Sequence, residues 1–224
     1  MTDQPHVEAP GLGAIPPLTI CCLALSLFGL PLLALLTETG GLSVSPLAQI
    51  ALQWLVVALV VGVAVGYNGR SFAEIGCRRP GWLDVGYLLG TAVVALVVFV
   101  ATDPLVAALG LPVESGAGAM SAGVGIGLAL ASAVTTGIVE EVLFRGYPIE
   151  RLLAYTGSPL VAGGITWGAF TVGHAVVWPL GNLLQIAAVS AVLTVVYLRR
   201  RTLVPVTGAH VLVWVLAALG QVYG

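Results

Sequence analysis

Apolar residues run along this chain in long blocks, and the polar positions gather between them. Seven blocks are long enough to cross a bilayer, for which about 20 residues suffice. They are approximately Pro17–Leu36, Leu47–Tyr67, Val85–Thr102, Ser121–Phe144, Pro159–Trp178, Asn182–Leu198 and Leu203–Leu219. Proline, glycine and charged residues punctuate the gaps. The pattern predicts an all-α fold, a polytopic membrane helix bundle of about seven transmembrane helices. Asp103–Gly118 has room for a further short helix. Residues 1–13 read as a disordered tail, 14–120 as N-terminal scaffold helices and 121–224 as the helices of a functional core.

Composition agrees with the pattern. Of 224 residues, 58% are hydrophobic and 8% are charged, against about 25% charged in a soluble domain. The net charge of −2 gives no basic footprint for nucleic acid. Cys21, Cys22 and Cys77 have no paired spacing, so neither a disulfide framework nor a cysteine metal site follows. The tail lacks the positive start of a secretory signal. Gly62-x-x-x-Gly66, Gly123-x-x-x-Gly127 and Gly164-x-x-x-Gly168 are spaced for close helix approach, which we expect inside the bundle.

Charge then sets the expected orientation. The chain has no lysine, and its eight arginines fall at connections two, four and six when seven spans are drawn. The positive-inside rule makes that side cytoplasmic and puts the N-terminus there as well.

Against this background Glu140 and Glu141 stand out. An acid at the centre of a membrane helix costs about 2.5–3.5 kcal/mol on insertion scales. Two adjacent acids need a reason to be there. The last four spans also carry Arg145, His174 and His210, with Asn182 and Gln185 adding neutral polarity, whereas the first three have almost nothing comparable. Glu141 and Arg145 are four residues apart and share a helix face, so they can pair. Glu140 is turned about 100° away and left free. With a turn centred on Gly157, Glu140 lies 17 residues before it and His174 lies 17 after, at equal depth in an antiparallel pair. Trp167, Phe170 and His174 form one stripe; Thr207, His210 and Trp214 form another. A glutamate beside a histidine can activate water as a general base. A second histidine can donate to an oxyanion. Alternatively, Glu140, His174 and His210 can ligate zinc and leave a position for water. The same groups also suit a structural ion-pair knot or a proton relay.

The segment Glu140-Glu141-Val-Leu-Phe-Arg145-Gly146-Tyr147 resembles the EExxxR motif of the CPBP family, the CAAX-protease and bacteriocin-processing (Abi) membrane proteins. Phe170-Thr-Val-Gly-His174 is similar to its FxxxH motif. The approach to His210 is similar to its third motif, a histidine followed four residues later by asparagine or aspartate. Here that later position is Trp214, whose indole donates a hydrogen bond but cannot accept one. Asn182 or Gln185 could compensate.

The resemblance spans about Gly123 to Trp214. It implies an intramembrane endopeptidase in which Glu140 activates water, His174 assists and His210 helps hold the oxyanion. Glu141, Arg145, Phe170, Asn182 and Trp214 are the expected supporting residues. The family has been described both as metalloproteases and as metal-independent glutamate proteases. The cofactor therefore stays open between none and zinc or another divalent metal at Glu140, His174 and His210. The implied partners are a membrane-embedded peptide or protein substrate and the lipid bilayer, in the plasma membrane of a prokaryote. The rival readings are a non-catalytic scaffold or immunity protein, and an ion or proton carrier.

Overall fold

Proline opens several helices, where its missing N–H costs nothing and its φ is already helical. The computed structural model describes residues 9–40, 43–114 and 124–223. Pro17 starts α1 (Pro17–Thr39) and Pro46 starts α2 (Pro46–Val61), with the Ser45 side chain capping Ala48 N–H. Next come α3 (Trp82–Ala108) and α4 (Ile126–Glu141). A π-turn over Val142–Gly146 joins α4 to α5 (Tyr147–Thr156), so Ile126–Thr156 is one broken span. Gly157, at φ 63°, stops it in the left-handed conformation that suits glycine. Ser158 then caps α6 (Pro159–Gly173), and α7 (Leu180–Arg200) and α8 (Leu203–Tyr223) complete the order. The fold is an all-α membrane bundle with no strand among the described residues.

Six of these segments are long and apolar enough to span a bilayer. The fifth expected span is shorter than its apolar run. Its helix α6 has 15 residues, or about 22 Å at 1.5 Å per residue, and gives way to a 3₁₀ turn at His174–Val176. It therefore ends at the depth of His174. No separate helix forms at Asp103, which lies within α3; residues 115–118 of the expected short helix lie outside the described residues. Residues 1–8 of the expected tail also lie outside them. From residue 9 the chain is held: Gly11 N–H bonds Tyr155 O at 2.8 Å, and Leu12–Ala14 form a 3₁₀ turn.

The arginine-bearing connections meet at one end of the bundle. Glu150 receives Arg78, Arg201 (Nε to Oε1, 2.8 Å) and the Tyr197 hydroxyl (2.9 Å). Arg200 bonds Asp84 at 2.8 Å, and Arg151 bonds Glu74 O at 2.9 Å. The Ser71 N–H, the Arg70 guanidinium and the Ser71 hydroxyl hold the Glu74 carboxyl down at about 2. Arg151 lies within the last turns of the fourth span, and Arg145 departs furthest from the expected placement at a connection. It lies inside the fourth span and is 1% exposed.

Close packing uses other glycines than the spaced pairs. A Cβ on Gly62, Gly66, Gly127, Gly164 or Gly168 would meet nothing within 4 Å, and Gly123 lies outside the described residues. Gly137 of α4 instead faces α8, where a Cβ would come within 2.8 Å of Val211 N. Gly208 faces Leu88 in the same way. Gly137→Ala is therefore expected to cost about 1–3 kcal/mol through overpacking. Gly164→Ala should gain up to about 1 kcal/mol of helix propensity. Unfolding midpoints in detergent check both, and an equal effect at the two positions would refute the assignment.

Candidate active site

Four helices supply the side chains. Glu140 and Glu141 end α4, where the backbone leaves α-geometry for the π-turn that carries Arg145. His174 sits just past the last residue of α6, and His210 lies midway along α8.

Glu140 lies between the two imidazoles. Its Oε1 is 3.8 Å from His174 Nε2, and its Oε2 is 3.8 Å from His210 Nε2. These separations exceed hydrogen-bond length but are within reach of one shared water. The three side chains are 12–17% exposed, so solvent can reach them. Equal spacing about Gly157 predicts one depth for Glu140 and His174, and they meet there.

Glu141 is 0% exposed. Its Oε1 accepts from Arg145 at 2.7 Å and from His210 Nδ1 at 2.8 Å, while Oε2 has no hydrogen-bond partner. The expected ion pair is present, but Glu141 also orients His210, which the spacing gave no means to see. Arg145 reaches across to Ser190 Oγ on α7 at 2.7 Å, and its guanidinium lies 4.2 Å from the centre of the Phe170 ring. Phe170 is buried. It stacks on His174 at 4.3 Å between centroids and meets Phe144 edge-on at 5.0 Å.

Both tautomers follow from the partners. His174 Nδ1 lies 2.7 Å from Phe170 O, which only accepts, so Nδ1 carries a proton and Nε2 faces Glu140. Trp214 Nε1–H donates to His210 Nε2 at 3.0 Å, so that nitrogen accepts and Nδ1–H faces Glu141. Trp214 thus belongs to the site.

Asn182 and Gln185 are engaged elsewhere. The Asn182 amide accepts from Glu114 N–H at 2.8 Å and donates to Glu114 O at 3.0 Å; Gln185 donates to Asp103. They tie the start of α7 to α3 and the segment after it, and among the described residues make no hydrogen bond to the imidazoles. Trp167 leaves the expected stripe, donating to Ala187 O on α7 at 2.8 Å. Ser190 went unforeseen, because a single hydroxyl in an apolar run has no spacing relation to any motif.

The donor set fits a metal poorly. A catalytic zinc takes three protein ligands and keeps a fourth position open. The indole N–H occupies the His210 Nε2 lone pair, leaving Glu140 and His174. Among the described residues no three His, Cys, Asp or Glu side chains are placed to hold one ion.

Fold and site together define a multi-pass membrane protein with a carboxylate held between two imidazoles inside the bundle. Residues 122–216, the stretch that carries all of these groups, match the family model described as Type II CAAX prenyl endopeptidase Rce1-like. That match covers 95 of the 224 residues and supports a relation to the CPBP/CAAX-protease family. No curated protein and no solved structure matches the chain.

Proposed function

We propose that the protein is an intramembrane endopeptidase that hydrolyses peptide bonds of membrane-associated peptides or proteins. The observation that carries this reading is Glu140 at 3.8 Å from both Nε2 atoms, with the second acid committed to Arg145. Water shared by Glu140 and His174 gives up a proton to Glu140 as its oxygen attacks the carbonyl carbon. Glu140 then delivers that proton to the leaving amine as the C–N bond breaks. The oxyanion develops on the His210 side, where the Trp214 indole N–H, in turning from His210 Nε2, donates to it. In this reading Trp214 supplies the donor that the family's asparagine would supply, and Glu141 keeps His210 in place. The first three helices act as the surrounding scaffold. The arginine end of the bundle faces the cytoplasm, which puts the N-terminus there.

The direct test uses purified protein in liposomes, offered a panel of lipid-anchored and transmembrane peptides, with products read by mass spectrometry. Site-specific cleavage is expected. No cleavage of any peptide, together with a proton flux down an imposed pH gradient, would replace this reading with the carrier. Because His210 Nε2 is already hydrogen-bonded, chelation should leave cleavage within about twofold, a small change beside the roughly 10–100-fold seen when metal sites are disturbed. Loss of activity on chelation and its return with zinc would show that Trp214 yields its place to a metal.

A further inference from the structure

The helix bearing the paired glutamates does not run straight through the site. After Glu141 the backbone makes its π-turn, in which an N–H bonds the carbonyl five residues back instead of four. The cause is local. Pro148 has no N–H, and its ring crowds the carbonyl four residues back, that of Phe144. The Tyr147 N–H is directed at Val142 O. Leu143 O would take its bond from Tyr147 in an α-helix, or from Pro148 in a π-turn. The first N–H is committed and the second does not exist. Leu143 is 0% exposed, so its carbonyl needs a donor from the protein.

Ser26 provides one. Its hydroxyl, on α1, donates to Leu143 O from a position that is also 0% exposed. The far end of the turn receives a longer bond, Tyr197 hydroxyl to Gly146 O at 3.4 Å. The scaffold half thus contributes a buried polar group that touches the turn between Glu141 and Arg145.

We propose that Ser26 is a positioning residue for the site: its hydroxyl holds the π-turn in the register that lets Arg145 and His210 share Glu141. An extra residue in a turn rotates the helix after it by about 100° relative to the helix before it. Relaxation toward α-geometry would move Arg145 off Ser190 and Phe170 and disturb the Glu141–His210 bond. The activity arm of this inference rests on the endopeptidase reading; the spectroscopic arm does not.

Ser26→Ala removes the donor. Ser26→Cys keeps the size and a weak donor. Adding Pro148→Ala to Ser26→Ala returns an N–H to the helix and permits ordinary α-geometry. The reconstituted full chain is measured for kcat and KM, for its unfolding midpoint, and by ¹⁵N NMR of the histidine rings. Ser26→Ala should lower kcat about 100-fold, the scale of a 1 Å misplacement, with KM little changed and the His210 Nδ1 resonance moved. Ser26→Cys should recover part of both. The double variant should regain the midpoint but not kcat. A wild-type kcat with an unmoved His210 resonance in Ser26→Ala overturns the proposal. So does recovery of kcat together with the midpoint in the double variant, since Ser26 would then be a structural donor only. Should the wild type cleave no peptide, the endopeptidase reading fails by itself, and the His210 resonance decides: movement supports the positioning role, and constancy overturns it.

Discussion

Glu140→Gln is expected to lower peptide cleavage by about 10²- to 10⁴-fold, the usual contribution of a positioned general base. The amide keeps the shape of the carboxyl and still reaches the shared water, but it cannot take the proton. Stability should be unchanged or slightly raised. Glu140 makes no ion pair with arginine among the described residues, and removing an intramembrane charge relieves desolvation. The comparison is therefore kcat against unfolding midpoint in one preparation. A variant that folds and cleaves at the wild-type rate would remove Glu140 from the chemistry. A variant that fails to fold would make Glu140 structural and transfer the search for the base to Glu141.

Arg145→Met should be the most destabilising single change in the site, at about 3–5 kcal/mol. The argument is burial. Arg145 and Glu141 are 1% and 0% exposed and bonded at 2.7 Å. Removing the guanidinium leaves a carboxylate with His210 as its remaining donor and one oxygen already unpartnered. The pair need not be stabilising in itself. Replacing both charges should recover most of the loss, because a buried ion pair and a neutral pair of similar volume are often close in energy. In Arg145→Met/Glu141→Gln the amide oxygen still accepts from His210 Nδ1–H. Chemical denaturation of the single and double variants in detergent gives the coupling directly. A single-variant loss below about 1 kcal/mol, the value of an exposed pair, would mean that the pair is hydrated.

Some of this site follows from the chain alone. The Glu141–Arg145 pair needs only helical geometry, and Glu140 meets His174 because both lie equally far from the turn at Gly157. The separation of Glu140 from that ion pair follows from the 100° step between successive residues, but the burial of Glu141 does not. Trp214 could be named as the departure from the family's third motif and placed on the His210 stripe, but its hydrogen bond to His210 Nε2 could not be read from spacing. His210 is bound on both sides, by Glu141 from α4 and by Trp214 from its own helix, and the first of these is a lateral contact. Ser190 and Ser26 are likewise lateral contacts.

The glycines make the same point. Spacing marked Gly62, Gly66, Gly164 and Gly168, which face open space. Among the positions that admit a neighbouring helix are Gly137 and Gly208, which carry no local signature.

What the sequence determined by itself is what a bilayer imposes on every residue: helices with internally bonded backbones, in about the observed number and order, and arginines confined to one end and one interior layer. Periodicity along each helix then fixed which side chains share a face. The tertiary structure decided how each helix is rotated about its axis against its neighbours, and where α6 stops. Rotation depends on packing between segments distant in sequence, such as Ser26 against Leu143 and His210 against Glu141, and one-dimensional spacing contains no term for it.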